Sequence, residues 1–264
     1  MRILLLSDLH FRADWYAWAA RQKTDLTAIA GDLLDGFHPD GLLPQMVALK
    51  KWAGVFPSPL AISSGNHDGN LEEWAVAGEF MQMNDRSEAL AILSSKYWMD
   101  TLERPGVVTD RRSQILETPG GKLVVTTVPF FPGQQGPRLC DNLWDEGCRL
   151  RDSSQMPWIV LHHEPPADTM VGGHSGDPSL FYKIREYQPD FVVCGHIHGQ
   201  PYAGAFADKL GETWCFNPGV PVLSRAIKAK VPNHIVLDLS ARTATWHATP
   251  NVGHEPIAIR RPLK

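Results

Sequence analysis

Five short polar blocks in the chain contain the residue types that bind divalent metal ions. The blocks are Asp8-Leu9-His10, Gly31-Asp32-Leu33-Leu34-Asp35, Gly65-Asn66-His67-Asp68, His162-His163 and Gly195-His196-Ile197-His198. Each block alone is weak evidence, because a lone Gly-Asp or Asp-x-His is usually a turn or a solvated loop. Together they offer a mixed nitrogen and oxygen ligand set, sufficient for two ions about 3.5–4 Å apart. The predicted ligands are Asp8, His10, Asp32, Asn66, His162, His196 and His198.

The residue types also limit the metal and the role of the neighbouring side chains. No cysteine belongs to the ligand set, so Mn, Fe or Zn suits the site better than a soft ion. Consecutive side chains at a strand end point in opposite directions, so only one residue of the His162-His163 pair should face the metals. We expect that residue to be His162, with His163 as the alternative. His67 would donate a proton or a hydrogen bond to the substrate. Asn66 or Asp68 could also cap a helix that begins near Leu71.

The elements that must position these blocks are short apolar runs, each of which ends at one block. Runs of four to six apolar residues bounded by turn residues are typical of buried strands. Amphipathic stretches of helical length separate the first three, and this β-α-β-α-β order predicts parallel strands with right-handed crossovers. Ligands of such sheets bind at the carboxyl ends of the strands, where every block falls. The predicted strands are 3–6, 26–30, 60–62, 158–161 and 191–194, and the first two helices are 14–22 and 39–54.

The remaining pattern completes a mixed α/β protein, in which two sheets pack together with helices outside. Segments 72–95 and 140–153 are predicted to be helical, and the Pro- and Gly-rich segments 129–137 and 165–178 to be long loops. Further short strands are predicted at 107–108, 113–117, 123–128, 201–206, 213–216, 234–239 and 243–247. The first three of these are expected to be antiparallel, with Pro119-Gly120-Gly121 as a turn between the second and the third. No linker or repeat divides the chain, so we expect one domain over residues 1–264.

Composition excludes some classes of function. The formal net charge of −4 and the pI near 6.2 argue against broad phosphate neutralisation on nucleic acid. No apolar run reaches the ~18 residues of a membrane helix or the roughly 7–15 of a secretory signal. The four cysteines have no Cys-x-x-Cys spacing, as expected for reduced thiols. These features predict a cytoplasmic protein and leave its oligomeric state open.

Taken in order, the five blocks resemble the signature of the calcineurin-like metallophosphoesterase superfamily, and they span most of the chain. The resemblance implies a four-layer α-β-β-α sandwich with metals at the strand ends. The protein phosphatases of this superfamily carry arginines after the second and third blocks, where this chain has Gly36-Phe37-His38 and Gly69-Asn70. The chain is therefore more similar to the bacterial phosphodiesterase-like branch.

The resemblance also implies roles for individual residues. Asp8, His10, Asp32 and His198 would hold one metal, and Asp32, Asn66, His162 and His196 the other. His67 matches the catalytic histidine, and Asp35 the carboxylate that orients it. We therefore expect hydrolysis of a small phosphoester, most simply a diester, by a metal-bridging hydroxide. A phosphomonoesterase and a nuclease are alternatives on the same site. A non-catalytic scaffold is disfavoured, because every ligand and the catalytic histidine are present.

Overall fold

Thirteen strands and five α-helices are present in the part of the chain that the structure, a computed structural model, describes. That part comprises residues 1–57, 59–68, 86–95, 97–130, 136–221, 229–248 and 257–264. In chain order the strands are β1 (Arg2–Leu6), β2 (Leu26–Ala30), β3 (Leu60–Ser63), β4 (Val107–Val108), β5 (Arg112–Thr118), β6 (Gly121–Thr127), β7 (Trp158–Leu161), β8 (Phe191–Val193), β9 (Ala207–Leu210), β10 (Thr213–Phe216), β11 (His234–Asp238), β12 (Thr243–Ala248) and β13 (Ile257–Pro262). The helices are α1 (Ala13–Ala19), α2 (Leu43–Val55), α3 (Arg86–Leu93), α4 (Gly136–Ser154) and α5 (Pro178–Tyr187), with short 3₁₀ turns at Trp98–Leu102 and Gln200–Ala203.

The first sheet has seven strands in the order β13-β12-β11-β1-β2-β3-β4. Strands β1, β2 and β3 are parallel neighbours joined through α1 and α2, which confirms the predicted β-α-β-α-β order. Strand β4 pairs parallel with β3, so the prediction of an antiparallel strand at 107–108 was wrong. A strand of only two residues has too short a sequence pattern to indicate whether it runs parallel or antiparallel to its neighbour. Strands β11 to β13 extend the sheet in antiparallel pairs.

The second sheet has six strands in the order β5-β6-β7-β8-β10-β9. Its four central strands run parallel, and β5 and β9 are antiparallel edges. The predicted hairpin across Pro119-Gly120 is present, because β5 pairs antiparallel with β6 over its whole length. Like the first sheet, it directs the carboxyl ends of its parallel strands towards polar loops.

Successive side chains on the parallel strands point alternately to the other sheet and to the helices, and so pack the four layers together. Ile3 and Leu5 on β1 pack against the second sheet, while Leu4 between them packs against α1, α2 and α3. In the second sheet Ile159 faces the first sheet, and Val160 faces α4 and α5. All five side chains are buried to 1 % exposure or less, so the strands have apolar contacts on both faces. The four-layer α-β-β-α sandwich is confirmed.

Two segments differ from the sequence prediction. The predicted strand at 201–206 is instead a 3₁₀ turn over Gln200–Ala203, and Pro201 in that turn has no N–H to give to a sheet. Helix α5 begins at Pro178, at the end of the predicted loop, and Asp177 caps it by accepting a hydrogen bond of 2.7 Å from Ser179 N. The start of the predicted helix 72–95 lies outside the described residues. None of the described helices is both long and apolar enough to span a membrane.

Candidate metal centre

The five polar blocks meet at one edge of the sandwich, where strands of both sheets end. Asp8 and His10 follow β1, Asp32 follows β2, and Asn66 and His67 follow β3. The second sheet contributes the histidines after β7 and β8. Parallel strands present their carboxyl ends at a common edge, so blocks far apart in sequence become neighbours in space. The parallel strands therefore bring the five blocks together at the edge where the sequence analysis expected them.

Strained backbone turns several of these side chains into the cluster. Asp8, Asp32 and His196 have φ values of 53°, 51° and 62°, in the left-handed region that residues other than glycine seldom adopt. Each such residue costs about 1–2 kcal/mol. His10 follows with φ 42°. Strain of this kind persists where surrounding contacts enforce it and concentrates at functional sites.

Two glycines permit the close packing of the blocks. Gly31 has φ +79°, and a Cβ there would lie 2.4 Å from Nδ1 of His163. A Cβ on Gly65 would lie 2.3 Å from Oδ1 of Asp32. Both distances are far below van der Waals contact, so only glycine lets the loops approach this closely.

The Asp8 carboxylate is fully buried among histidines. Its Oδ1 accepts hydrogen bonds from His198 Nε2 at 3.1 Å and from the backbone N–H of His196 at 3.2 Å. Its Oδ2 is buried and has no hydrogen-bond partner among the described residues. Burial favours the neutral acid, but the bond from His198 and the charge of His163 outweigh it and hold the pKa of Asp8 well below its usual value.

Asp32 lies at the centre of the cluster. Its Oδ2 is 3.4 Å from Nε2 of His163 and 3.9 Å from Nε2 of both His10 and His67. Its Oδ1 accepts a hydrogen bond of 2.9 Å from the backbone N–H of His67. Burial opposes ionisation, yet the hydrogen bond with His163 lowers the pKa of Asp32 below its usual value. One carboxylate thus faces imidazoles from three different blocks.

Asn66 brings its side-chain oxygen to two further imidazoles. Oδ1 lies 3.1 Å from Nε2 of His163 and 3.0 Å from Nδ1 of His196. An amide oxygen and two imidazole nitrogens at these distances form a set of ligands of the kind that holds a divalent ion.

The structure places His163, and not His162, in the cluster, which corrects the sequence expectation. Strand β7 directs Trp158 and Val160 towards α4 and α5, and His162 continues that side. Ile159 and Leu161 face the first sheet, and His163 lies on the same side of the strand as they do. The rule of alternation was right, but β7 is apolar on both faces, so the sequence did not indicate which histidine lay on which side.

The surroundings of His163 favour a cation at its Nε2. Its Nδ1 donates to the carbonyl of Ala30 at 2.8 Å, so the neutral ring presents a lone pair at Nε2. That lone pair faces oxygen atoms of Asp8, Asp32 and Asn66, at 3.8, 3.4 and 3.1 Å. Burial disfavours the charged ring, but the hydrogen bond and charge of the two aspartates raise the pKa of His163 to about 9. A proton or a metal ion relieves this juxtaposition of acceptors.

His67 lies at the margin of the cluster with its ring fixed by the backbone. The N–H of Gly36 donates to Nδ1 of His67 at 3.0 Å, so the neutral ring carries its proton on Nε2. The carboxylate of Asp35 instead accepts a hydrogen bond from the N–H of Phe37. The expectation that Asp35 orients His67 is therefore corrected: a main-chain donor, which no residue type reveals, occupies that nitrogen.

The cluster fits divalent metal ions. Three groups of ligand atoms lie within 4.8 Å of one another in the described residues. They are Asp8–His10–His198, His10–Asp32–His67 and Asp8–Asp32–His163. The partnerless Oδ2 of Asp8 and the acceptors facing His163 are the contacts that a bound cation would satisfy. Asn66 and His196 adjoin these groups through the side-chain oxygen of Asn66, whereas His162 faces Asp177 and lies apart from them.

Asp68 is a structural residue of the centre that the sequence indicated only as a possible helix cap. It is 1 % exposed, and its Oδ2 accepts from the N–H groups of Leu33 at 3.0 Å and Gly65 at 2.8 Å. Its Oδ1 accepts from Leu34 N at 2.9 Å. Burial, followed by the charge of Asp32, raises the pKa of Asp68 to about 7. Asp68 thereby ties the loop after β2 to the loop after β3.

Comparison with known proteins identifies the family. A family model described as calcineurin-like phosphoesterase matches residues 1–200. Comparison with curated protein sequences gives no match. The crystal structure of TT1561 from Thermus thermophilus is similar in fold, with a TM-score of 0.53 and 16 % identity over 93 % of this chain and 92 % of that chain.

Two more distant structures also align. Calcineurin-like phosphoesterase YfkN from Bacillus subtilis has a TM-score of 0.42 and 13 % identity, over 100 % of this chain and 90 % of that one. Vps29 from Entamoeba histolytica, complexed with Zn²⁺, has a TM-score of 0.46 and 11 % identity over both whole chains. The assignment rests on the family model, which spans most of the 264 residues. The chain therefore belongs to the calcineurin-like phosphoesterase family, whose members are metal-dependent phosphoester hydrolases.

Proposed function

We propose that the protein is a phosphodiesterase with a dinuclear metal centre. The observation that carries this proposal is a pair of buried carboxylates, Asp8 and Asp32, at 0 % and 2 % exposure, which imidazole nitrogens surround. One ion would be held by Asp8, His10, Asp32 and His198. The other would be held by Asp32, Asn66, His163 and His196.

The distances support this division of ligands. Asp8, His10 and His198 bring ligand atoms within 4.8 Å of one another. The oxygen of Asn66 lies about equally close to His163 and His196, which groups those three. Asp32 belongs to both sets, because its Oδ2 faces a histidine of each.

The reaction that suits the centre is in-line attack of water on phosphorus. Bound ions would supply positive charge for the phosphate oxygens and activate the attacking water. His67 stands beside the centre with Nε2–H available, where it can donate a hydrogen bond or proton to the departing oxygen. Gly36 holds the ring in that orientation.

A small diester is the substrate that the chain favours. The loop after β2 carries Gly36, Phe37 and His38 where phosphoprotein phosphatases of the family have arginine. A diester carries one negative charge at phosphorus, fewer than a monoester dianion, and needs fewer cationic partners. The net charge of −4 disfavours nucleic acid as substrate. The four free cysteines suit the reducing cytoplasm, where we propose that the protein acts.

The test is hydrolysis by metal-depleted protein reconstituted separately with Mn²⁺, Fe²⁺ and Zn²⁺. The substrates are bis(4-nitrophenyl) phosphate, 4-nitrophenyl phosphate and single-stranded DNA, and metal content is measured in parallel. We expect two ions per chain, diester hydrolysis above monoester hydrolysis, and loss of activity in a chelator. Asp8→Ala is the inactive control. Failure of every reconstituted form to cleave the diester would refute the proposal.

A further inference from the structure

A cavity of about 430 Å³ adjoins the metal centre on the side of α4 and α5. Phe130 lines the cavity, and the centre of its ring lies 5.8 Å from that of His163 and 6.1 Å from that of His196. Phe130 is thus next to both the cavity and two of the proposed ligands. The space is large enough for one arm of a small organic ester.

Hydrogen-bond acceptors converge on this cavity. His162, at 8 % exposure, donates its Nδ1–H to the carbonyl of Val128 at 3.3 Å, so its neutral ring presents Nε2 as an acceptor. That Nε2 has no hydrogen bond to any described residue and lies 3.8 Å from Oδ2 of Asp177. Glu164, two residues further, lines the same cavity. Asp177 already accepts hydrogen bonds from Ser179, but the acceptor of His162 and the two carboxylates together would favour a ligand with donors or positive charge.

The charged groups around the cavity leave it electronegative. Its described lining contains three carboxylates, those of Asp141, Glu164 and Asp177, and one ammonium group, that of Lys183. Lys183 is already engaged, with Nζ 2.7 Å from Asp141 and 3.7 Å from Glu186. An anion would be repelled here, and a cation would be attracted.

The walls select an organic cation over a bare metal ion. Phe130, Trp144 and Leu180 give the cavity an apolar surface, and its volume far exceeds that of one ion. Alkyl carbons fill such space favourably, and the face of an aromatic ring attracts a charged amine. Ammonium N–H groups also match the acceptors of His162, Glu164 and Asp177.

We propose that this cavity binds a protonated amine at the end of one ester arm of the substrate. This inference rests on the proposed phosphodiesterase function and names its substrate class as amine-bearing phosphodiesters. The phosphate lies at the metal centre, and the arm passes Phe130 to place its ammonium group near His162, Glu164 and Asp177.

The test compares two diesters of equal size, 3-aminopropyl 4-nitrophenyl phosphate and butyl 4-nitrophenyl phosphate. Nitrophenolate release gives kcat and KM for both with metal-reconstituted protein. We expect kcat/KM to favour the amine about 10-fold to 100-fold, mainly through KM, as for hydrogen bonds to charged groups. Glu164→Gln and Asp177→Asn should each reduce this preference about 10-fold or more. Asparagine at 177 keeps the cap of α5, so the fold is retained.

Glu146→Gln is the matched control, since Glu146 is an exposed acid on α4 that pairs with Arg149 away from the cavity lining. It should leave the preference for the amine unchanged. Equal kcat/KM for the two diesters, or a preference that survives both cavity variants, would overturn the inference while the proposed function stood. If the protein hydrolysed none of the three diesters, including bis(4-nitrophenyl) phosphate, both the inference and the proposed function would be overturned.

Discussion

The backbone N–H of Gly36 donates a hydrogen bond of 3.0 Å to Nδ1 of His67. This contact fixes which nitrogen of the neutral ring carries the proton, because an N–H group can only donate. The N–H of Gly36 also cannot titrate, unlike the Asp35 carboxylate that the sequence suggested as the partner of His67. The orientation of His67 therefore depends on the loop after β2 and not on a second charge.

His67→Ala should retain both metals and lose rate. Stabilisation of the departing oxygen by a positioned acid is worth about 10²–10⁴-fold, so alkyl diesters should slow by that factor. Nitrophenyl diesters need less assistance and should slow less. Rates on both substrates, together with metal content, check this expectation. Asp35→Asn should slow the alkyl diester less than about 10-fold, below the range for a lost general acid, and an effect equal to that of His67→Ala would contradict the geometry.

His162 and His163 are adjacent in sequence, but only His163 is expected to bind metal. His163→Ala should lose metal, because its Nε2 lies 3.4 Å from an oxygen of Asp32 and 3.1 Å from that of Asn66. His162→Ala should retain metal, since the ring points to Asp177. Metal analysis after dialysis separates the two variants. Metal loss in His162→Ala with retention in His163→Ala would restore the original sequence assignment.

Asp32→Asn tests the shared ligand. Since Oδ2 of Asp32 faces histidines of both proposed sets, the amide should weaken the binding of both ions. Titration calorimetry on metal-depleted protein would show two weakened sites. As a comparison, His10→Ala should weaken one site more than the other. Two unaltered affinities in Asp32→Asn would exclude a bridging role.

Asp68→Asn should destabilise the fold around the centre. Asp68 accepts three backbone N–H groups, and an amide has only one oxygen for them, so at least one buried donor loses its partner. The expected cost is about 1–3 kcal/mol in the free energy of unfolding. Urea unfolding measures it, with the exposed Asp152→Asn as control. Equal stability of the two variants would show that Asp68 does not join the loops.

Asp110 should make stability depend on pH. It is fully buried, accepts hydrogen bonds from Ser64 N and Tyr97 OH, and burial raises its pKa from 3.8 to about 6. A pKa above the unfolded value means that the folded protein holds the proton more tightly, so stability falls as pH rises from about 4 to 6. The loss is roughly 2–3 kcal/mol at most.

Asp110→Asn cannot ionise, so it should gain stability relative to the parent protein across that range. Urea unfolding at intervals from about pH 4 to 7 would show the two curves separating as pH rises. Parallel curves would mean that Asp110 does not cause the dependence. The exposed Asp152→Asn should follow the parent protein throughout.

The sequence predicted the architecture well because its strongest signals were the apolar runs that end in polar blocks. Runs such as 3–6 and 26–30 indicated both strand positions and the edge where ligands collect. The choice between His162 and His163 failed because β7 is buried on both faces. The partner of His67 was missed because Gly36 contributes only its main chain. Asp68 resembled a helix cap, since its three donors come from loops that only the fold brings together.

The left-handed backbone at Asp8, Asp32 and His196 has a consequence for the engineering of this protein. Stability and activity are set against each other at these positions, because the conformation that aims each side chain also raises the energy of the folded state. Replacement of His196 by glycine would relax the main chain and remove one of the proposed metal ligands. Selection for thermostability alone would therefore drift towards inactive proteins. A screen that raises both properties should change residues far from the strand ends and leave these three untouched.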